Sequence, residues 1–257
     1  PLNHPGLFIF GMTLAGPLVC GASQIINDWC DREVDAINEP DRPIPSGRVS
    51  ERRAFKFAFA WSLLAQLWSF SLGIWVASAT ALALILAWAY SAPPLRLKQN
   101  GWRGNLSVAI SYEGLAWVTG AAIAFGGYLP NTNILVVALL YSLGAHGIMT
   151  LNDFKAIEGD MAIGIRTLPV QLGPASAARL ACLVMLIPQL VVLALLQTWE
   201  HTLAAALVAI LIVGQLLAML RLLKDPRLLA PWYNGIGVTQ YVAGMMVTAS
   251  ALGGYLV

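Results

Sequence analysis

Two short acidic segments, each at the end of a long apolar run, carry the residues best suited to chemistry. They read NDWCDREVD at 27–35 and NDFKAIEGD at 152–160, and they begin 125 residues apart. Seven of the thirteen Asp and Glu residues in the chain lie in them: Asp28, Asp31, Glu33, Asp35, Asp153, Glu158 and Asp160. Carboxylates gathered in this way predict a site for a divalent cation and for a polyanion bound with it.

The first segment places three aspartates on one side of a helix. Asp28, Asp31 and Asp35 fall at positions i, i+3 and i+7, within about 60° of one helical face. Near the C-terminal end of a helix, the macrodipole disfavours each negative charge by roughly 0.3–1 kcal/mol, and the carboxylates also repel one another. A bound cation removes both penalties, so these three aspartates are predicted metal ligands.

The second segment is predicted to be a degenerate copy of the first. Asp153 and Asp160 repeat the i, i+7 spacing and are also predicted metal ligands, but the middle position is Ala156. Glu158 would point about 140° away from that face unless Gly159 breaks the helix.

Four other polar residues lie at or inside the apolar runs. Asn27 and Asn152 precede the two segments, where an amide could orient a carboxylate or bind a phosphate oxygen; helix capping is the alternative. Glu113 is an acidic residue in mid-span, a costly placement that indicates function, with a structural hydrogen bond as the alternative. His146 lies seven residues before Asp153, and interhelical packing competes with a substrate or metal contact.

Basic residues accompany the carboxylates. Mg²⁺ takes one or two carboxylates together with substrate phosphate oxygens, and guanidinium groups match phosphate geometry. The combination predicts a diphosphate site, against the alternative of a solvated loop with incidental charge. The cations predicted to neutralise the diphosphate are Arg42, Lys98, Lys155 and Arg166.

The elements that must position these residues are transmembrane helices. Hydrophobic residues make up 58% of the 257 residues and charged residues 11%, whereas soluble proteins contain roughly 25% charged residues. A bilayer core of about 30 Å is crossed by about 20 apolar helical residues. Eight such runs predict an all-α, polytopic transmembrane helical bundle, with a division at Gly73 that rests on length alone: 6–26, 54–72, 76–92, 105–126, 132–150, 175–197, 202–222 and 232–255.

The basic residues predict the orientation of these spans. All 15 Lys and Arg fall in four alternate loops or at the helix ends touching them, and the remaining loops carry none. By the positive-inside rule that side is cytoplasmic, and it holds both acidic segments. The net charge of +2 is therefore a topology signal, and no nucleic-acid partner is expected.

The organisation along the chain indicates one domain with two related halves. The segments DAINEPDRPIP and DMAIGIRTLPV, which begin at Asp35 and Asp160, are alike, and four spans separate the acidic segments. This pattern predicts a parallel repeat within a single domain 1–257, with halves of about 1–126 and 127–257; chance similarity is the alternative. Eight spans would leave both termini outside, and we expect one further helix before Pro1.

Three stretches together resemble a known family. NDWCDREVDAINEPDRPIPSGR, YSAPPLRLKQNGWRGN and NDFKAIEGDMAIGIRTLPVQLG are similar to the UbiA superfamily of intramembrane prenyltransferases, and within it to the chlorophyll and bacteriochlorophyll synthases. SYEGLAWVTG favours the bacteriochlorophyll branch. The resemblance implies a UbiA-type bundle of nine helices, matched here from the second onward, with two aspartate-rich cytoplasmic loops. It also implies a multi-pass protein of the bacterial inner, photosynthetic membrane.

The resemblance implies a reaction as well. Mg²⁺ would bridge a geranylgeranyl or phytyl diphosphate, and the prenyl chain would be transferred to the propionate of a chlorophyllide-type tetrapyrrole. Lys98 would act with the five aspartates in catalysis. The substrate-binding residues expected are Asn27, Arg42, Arg48, Tyr90, Glu113, His146, Asn152, Lys155, Glu158 and Arg166. Membrane lipid and pigment-assembly proteins are the further partners expected.

Two alternatives stay open. A UbiA-type enzyme acting on a quinone precursor or haem would share the metal site. A divalent-cation transporter would also bind metal, but transporters usually place such groups near the membrane midplane, whereas here the acidic residues cluster at one face.

Overall fold

The computed structural model describes residues 5–256, and every regular element in that range is a helix. The expectation of an all-α protein is thus confirmed. The chain divides into two compact units, one formed by 1–97 and 115–130 and the other by 98–114 and 131–257. Neither unit is a continuous stretch of sequence. The helical run 101–124 belongs partly to each unit, since the chain changes unit between 114 and 115.

The first unit is built on a long opening helix. A π-helical turn at Leu14–Cys20 contains Pro17 and joins α1 to α2, so the missing N–H of the proline falls where the helical hydrogen bonding is already irregular. Trp61 and Trp68 donate from their indole nitrogens to the carbonyls of Pro17 and Phe10. The helices of this unit are α1 (Pro5–Thr13), α2 (Gly21–Asn38), α3 (Glu51–Phe70), α4 (Ile74–Ser91) and α6 (Ala116–Ala124).

The predicted division at Gly73 is confirmed. α3 ends at Phe70 and α4 begins at Ile74, and Gly73 has a φ of +116°, which favours glycine. A Cβ there would also lie 2.8 Å from the Cα of Gly127. Backbone conformation and close packing both require glycine at this turn.

The second unit is arranged around α7, which packs against α5, α10 and α12. Small residues allow the close approach: a Cβ at Gly144 would lie 2.0 Å from Tyr241 Oη, and one at Gly147 would lie 2.5 Å from the carbonyl of Ala181. The helices of this unit are α5 (Gly101–Ala109), α7 (Thr132–Asn152), α8 (Ile157–Ala162), α9 (Leu168–Leu172), α10 (Pro174–Thr198), α11 (Thr202–Leu222) and α12 (Pro226–Leu252).

Buried polar side chains fix the helices of this unit to one another. Gln189 donates to the Gln215 carbonyl oxygen at 2.6 Å, and Gln215 donates to the backbone carbonyl of Gly237 at 3.2 Å. These bonds connect α10, α11 and α12 inside an apolar environment, where an unpaired amide would be costly.

Seven helical segments within 5–256 are long and apolar enough to cross a membrane, so the chain is an integral membrane protein. The predicted run at 54–72 corresponds to α3, which is 20 residues long but opens with four charges: Glu51, Arg52, Arg53 and Lys56. The count of eight spans therefore stays a prediction. α7 differs from the others, because 67% of its apolar window is buried in the protein, against 22 to 39% elsewhere.

Candidate active site

The first acidic segment lies on α2, which continues to Asn38. Asp28, Asp31 and Asp35 thus occupy the single helix that their spacing predicts. Their side chains differ in exposure, at 40% for Asp28, 18% for Asp31 and 11% for Asp35. The segment presents one well-exposed carboxylate and two that are held close to protein.

Arg42 joins two of these carboxylates. Its Nη1 donates to Asp28 Oδ1 at 3.2 Å and to Asp35 Oδ2 at 3.0 Å. Its Nε and Nη2 donate to the two carboxylate oxygens of Glu39, at 2.7 and 3.2 Å. The hydrogen bond to Glu39 is the main cause of a raised pKa at Arg42, and the charge of Asp35 adds to it. The guanidinium is therefore a fixed cation between the two carboxylates.

The third aspartate is held from the segment that follows α4. Arg96 Nη2 donates to Asp31 Oδ1 at 3.1 Å, from a backbone with a φ of +36°. Asn27 donates instead to Ser91 Oγ at 3.2 Å, at the last residue of α4 and one position after Tyr90. The end of α4 and the segment that follows it therefore both contact the first acidic motif.

The i, i+7 geometry predicted for Asp153 and Asp160 is interrupted, and the interruption lies at Asp153–Ala156 and not at Gly159, where the sequence left a break open. α7 ends at Asn152, a 3₁₀ turn occupies Asp153–Ala156, and α8 is a separate short helix. Donors from outside the segment hold both aspartates: Asn105 Nδ2 donates to Asp153 Oδ2 at 3.1 Å, and Thr167 Oγ1 donates to Asp160 Oδ2 at 3.1 Å. Asn, Asp and Gly have a weak preference for the helix, so these contacts are enough to interrupt the α-helix there.

The predicted polar residues of α7 are both engaged. His146 is buried, and its ring lies 5.9 Å from that of Trp102 in a tilted arrangement. Asn152 accepts a hydrogen bond at 2.9 Å from Asn234 of α12. Neither residue caps the helix, so the capping alternative is wrong for Asn152.

A backbone pairing brings two of the basic segments together. The N–H of Gly101 donates to the carbonyl of Arg166 at 2.8 Å, and the N–H of Arg166 donates to the carbonyl of Gln99 at 3.0 Å. Lys98 lies in the 3₁₀ turn just before this pairing. The peptide segments that carry Lys98 and Arg166 are therefore neighbours in the second unit.

Four predicted residues stand apart from these contacts. Glu158 is exposed and pairs with Arg227 at 3.1 Å. Arg48 is exposed and donates to Ser46 Oγ at 3.0 Å and to the carbonyl of Asp41. Lys155 is exposed in the 3₁₀ turn, and Glu113 is half-buried within a π-helical turn at Ile110–Leu115.

The carboxylates of α2 fit a cation that completes its coordination with substrate. Within 5–256, no three His, Cys, Asp or Glu side chains are grouped so as to hold a metal ion. Oxygens of Asp28 and Asp35 nevertheless converge on a single cationic nitrogen of Arg42. Because Mg²⁺ is usually bound by one or two carboxylates plus substrate phosphates, a convergent pair is sufficient.

Sequence reasoning did not select as site residues four residues whose side chains contact the five predicted aspartates or Arg42: Glu39, Arg96, Asn105 and Thr167. Each lies inside or beside a motif that the sequence singles out, and this position in the chain is the feature that could have pointed to it. Helical periodicity could not identify Arg96, Asn105 or Thr167, because each reaches its aspartate from another element.

Comparison with known proteins finds similarity over nearly the whole chain. A family model for the UbiA prenyltransferase family matches residues 1–234. The bacteriochlorophyll synthase 33 kDa chain of Cereibacter sphaeroides is 54% identical over 96% of this chain and 82% of its own length. The chloroplastic chlorophyll synthase of Avena sativa is 40% identical over 93% of this chain and 65% of its own length.

A solved structure has the same fold. A UbiA homolog from Archaeoglobus fulgidus bound to GPP and Mg²⁺ superposes with a TM-score of 0.69, at 21% identity, over 95% of this chain and 88% of that one. The fold, the family match and the 54% identical relative agree. This chain belongs to the UbiA prenyltransferase family.

Proposed function

We propose that the chain transfers a geranylgeranyl or phytyl group from its diphosphate to the propionate carboxylate of bacteriochlorophyllide or chlorophyllide. The observation that carries the proposal is the convergence of Asp28 and Asp35 on one cationic nitrogen, Arg42 Nη1, in a chain 54% identical to a bacteriochlorophyll synthase. Bacteriochlorophyllide is the favoured acceptor, because identity to the chlorophyll synthase is 40%.

The donor would be held by its diphosphate. Asp28, Asp31 and Asp35 of α2 would hold Mg²⁺, which supplies positive charge to the diphosphate when bound. We propose Asp153 and Asp160 of the second acidic segment as Mg²⁺ ligands as well. The A. fulgidus homolog was solved with GPP and Mg²⁺, which supports this use of metal in a protein of the same fold. Arg42, Lys98, Lys155 and Arg166 would bind the phosphate oxygens and stabilise the charge that develops on the leaving group.

The transfer needs no general base from the protein. The bond between prenyl C1 and the diphosphate oxygen breaks, the diphosphate leaves with the electron pair, and a propionate oxygen forms the new bond to C1. A carboxyl group with a pKa near 4 is ionised at neutral pH, so the acceptor arrives as a nucleophile. The protein's tasks are to position the acceptor and to exclude water from the allylic cation.

The reaction would take place at the cytoplasmic face of an inner membrane. The basic residues lie in alternate loops, on the side that carries both acidic segments, and positive loops remain cytoplasmic. The apolar prenyl tail would extend among the helices, and the esterified pigment would leave into lipid. Tyr90, Arg48, Glu113 and His146 remain candidates for contacts with the acceptor or the donor.

The test is a prenyl transfer assay with single variants of α2. Membranes containing the chain would be incubated with Mg²⁺, labelled geranylgeranyl diphosphate and a panel of bacteriochlorophyllide, chlorophyllide, haem and quinone precursors. We expect labelled pigment from the first two acceptors only. Asp28→Ala or Asp31→Ala should reduce product to background while the protein remains folded in detergent.

Glu33→Ala provides the matched control, because Glu33 lies on the same helix but its side chain is 87% exposed. Its activity should equal that of the unmodified protein. Full activity of Asp28→Ala would refute the metal assignment, and product from the quinone precursor alone would refute the acceptor.

A further inference from the structure

Asn105 is a buried polar residue on α5 that the proposed reaction does not itself require. Its side chain is 8% exposed. Its Nδ2 donates to Asp153 Oδ2 at 3.1 Å and to Thr150 Oγ1 at 3.3 Å. The amide therefore has one partner inside α7 and a second at the point where α7 gives way to the 3₁₀ turn.

Thr150, one of the two partners of Asn105, is itself fixed. The hydroxyl of Thr150 donates to the carbonyl of His146 at 2.9 Å, which leaves its oxygen to accept from Asn105. α5 begins at a defined place, because the Asn100 side chain accepts from the N–H groups of Trp102 and Arg103. A capped helix thus presents Asn105 to an acceptor that cannot rotate freely.

Further along α5, Ser142 Oγ donates to the carbonyl of Ala109 at 3.0 Å. This second hydrogen bond also joins α5 to α7 but does not involve an acidic residue. Hydrogen bonds therefore join the two helices at two positions along their length, and only the bonding at Asn105 also involves the second acidic segment.

From this arrangement we infer that Asn105 is a positioning residue for the diphosphate site: it fixes the carboxylate plane of Asp153 and so directs that carboxylate toward the bound cation. The inference rests on the proposed function. The hydrogen bond restrains rotation of the Asp153 side chain at the end of α7, where the α-helix gives way to a 3₁₀ turn. Outer partners of metal-binding carboxylates typically change metal affinity or activity by about 10- to 100-fold when removed.

The test compares Asn105→Ala with Ser142→Ala. Each variant removes one hydrogen bond between α5 and α7, but only the first removes a contact to Asp153. Mn²⁺ would serve as the probe, and its binding would be measured from the electron paramagnetic resonance signal of free Mn²⁺, with geranylgeranyl diphosphate present and acceptor absent. This readout does not depend on turnover.

We expect the Mn²⁺ dissociation constant to rise about 10-fold in Asn105→Ala and to stay unchanged in Ser142→Ala. In the prenyl transfer assay, Asn105→Ala should need a correspondingly higher Mg²⁺ concentration, with an unchanged KM for the acceptor. Excess Mg²⁺ should restore part of its kcat.

Asn105→Leu guards against a failure to fold, because leucine has the same number of side-chain heavy atoms and the same branching at Cγ as asparagine but donates no hydrogen bond; it should weaken Mn²⁺ binding to the same extent. Equal Mn²⁺ affinity in the unmodified protein and in either Asn105 variant would overturn the inference. An equal loss of Mn²⁺ affinity in Ser142→Ala would also overturn it, since Asn105 would then act only through the hydrogen bonding between α5 and α7. Failure of the unmodified protein to bind Mn²⁺ would instead overturn the metal assignment under the proposed function.

Discussion

At the residue scale, Arg42 determines the local geometry of the first acidic segment. One of its nitrogens serves Asp28 and Asp35, while its other donors engage both carboxylate oxygens of Glu39. Glu39 therefore orients the guanidinium as well as balancing its charge. A planar fork of donors is required for this pattern, and only arginine supplies it.

Arg42→Lys tests that geometry. A lysine ammonium cannot engage the Glu39 carboxylate as a fork and still reach both aspartates, so at least one charge-assisted hydrogen bond should be lost. Such a bond contributes about 1.5–3 kcal/mol, and we expect kcat/KM for the prenyl diphosphate to fall about 10-fold or more.

The measurement is steady-state kinetics with donor and acceptor varied separately. Arg53→Lys is the control, because Arg53 is an exposed arginine at the start of α3. An unchanged donor kcat/KM in Arg42→Lys would show that a positive charge alone suffices at this position.

The site residues that could be predicted are those whose positions are set within one segment of the chain. Asp28, Asp31 and Asp35 belong to one helix, so spacing alone places them together. Arg96 reaches Asp31 across 65 positions of sequence, and Asn105 reaches Asp153 across 48. Periodicity within a segment contains no information about such partners, although the motifs that carry them were visible.

At the element scale, the pairing of Gln99 and Gly101 with Arg166 holds a basic segment against the segment that follows the second acidic motif. A Cβ on Gly101 would lie 2.5 Å from the backbone nitrogen of Leu168 and 3.0 Å from Thr167. The neighbours are backbone atoms, which cannot move aside as a flexible side chain could.

Gly101→Ala should therefore force these segments apart. Overpacking of this kind typically costs about 1–3 kcal/mol, and we expect a lower midpoint of thermal unfolding in detergent and weaker binding of the diphosphate. Gly159→Ala is the matched control, because a Cβ there would meet no atom within 4 Å and alanine is the better helix former. A Gly101→Ala protein as stable as the control would contradict the close approach.

Helix boundaries were predicted well where apolar runs end abruptly and poorly where polar segments continue a helix. The run 202–222 is an example of the first kind, since it coincides with α11. α2 continues through the entire acidic motif to Asn38, but α7 ends at Asn152, before the second motif. The side-chain partners of both motifs lie on other parts of the chain, outside the segment in which helical periodicity is measured.

At the scale of the whole molecule, the one-sided distribution of basic residues predicts how the chain lies in its membrane. Ser46, in the loop after α2, and Ser71, in the turn after α3, are both exposed and belong to loops of opposite predicted sides. Their accessibility from the two aqueous compartments provides a direct measurement.

Cysteine labelling makes the test concrete. In a protein whose Cys20, Cys30 and Cys182 are replaced by alanine, Ser71→Cys should react with a membrane-impermeant maleimide in intact cells. Ser46→Cys should react only in inverted vesicles. The opposite labelling would place the acidic segments on the outer face and contradict the proposed orientation.

Membrane character and helical class followed from composition, because a bilayer admits few alternatives to apolar helices. The number of spans is harder to predict from sequence, as α3 shows. Its length suffices, but its first turns carry Glu51, Arg52, Arg53 and Lys56. Long charged side chains near a helix end can place their charge at the membrane–water interface. A count of apolar residues does not include this effect.

The burial of α7 has a consequence for how such a chain can diverge. Most membrane helices meet lipid along one side, where many apolar residues are interchangeable, but two thirds of the apolar window of α7 contacts protein. Gly144 and Gly147 leave no room for added volume on two of its flanks. Neutral substitutions should therefore accumulate slowest along this helix, and lineages that adopt a new acceptor should change their other helices first.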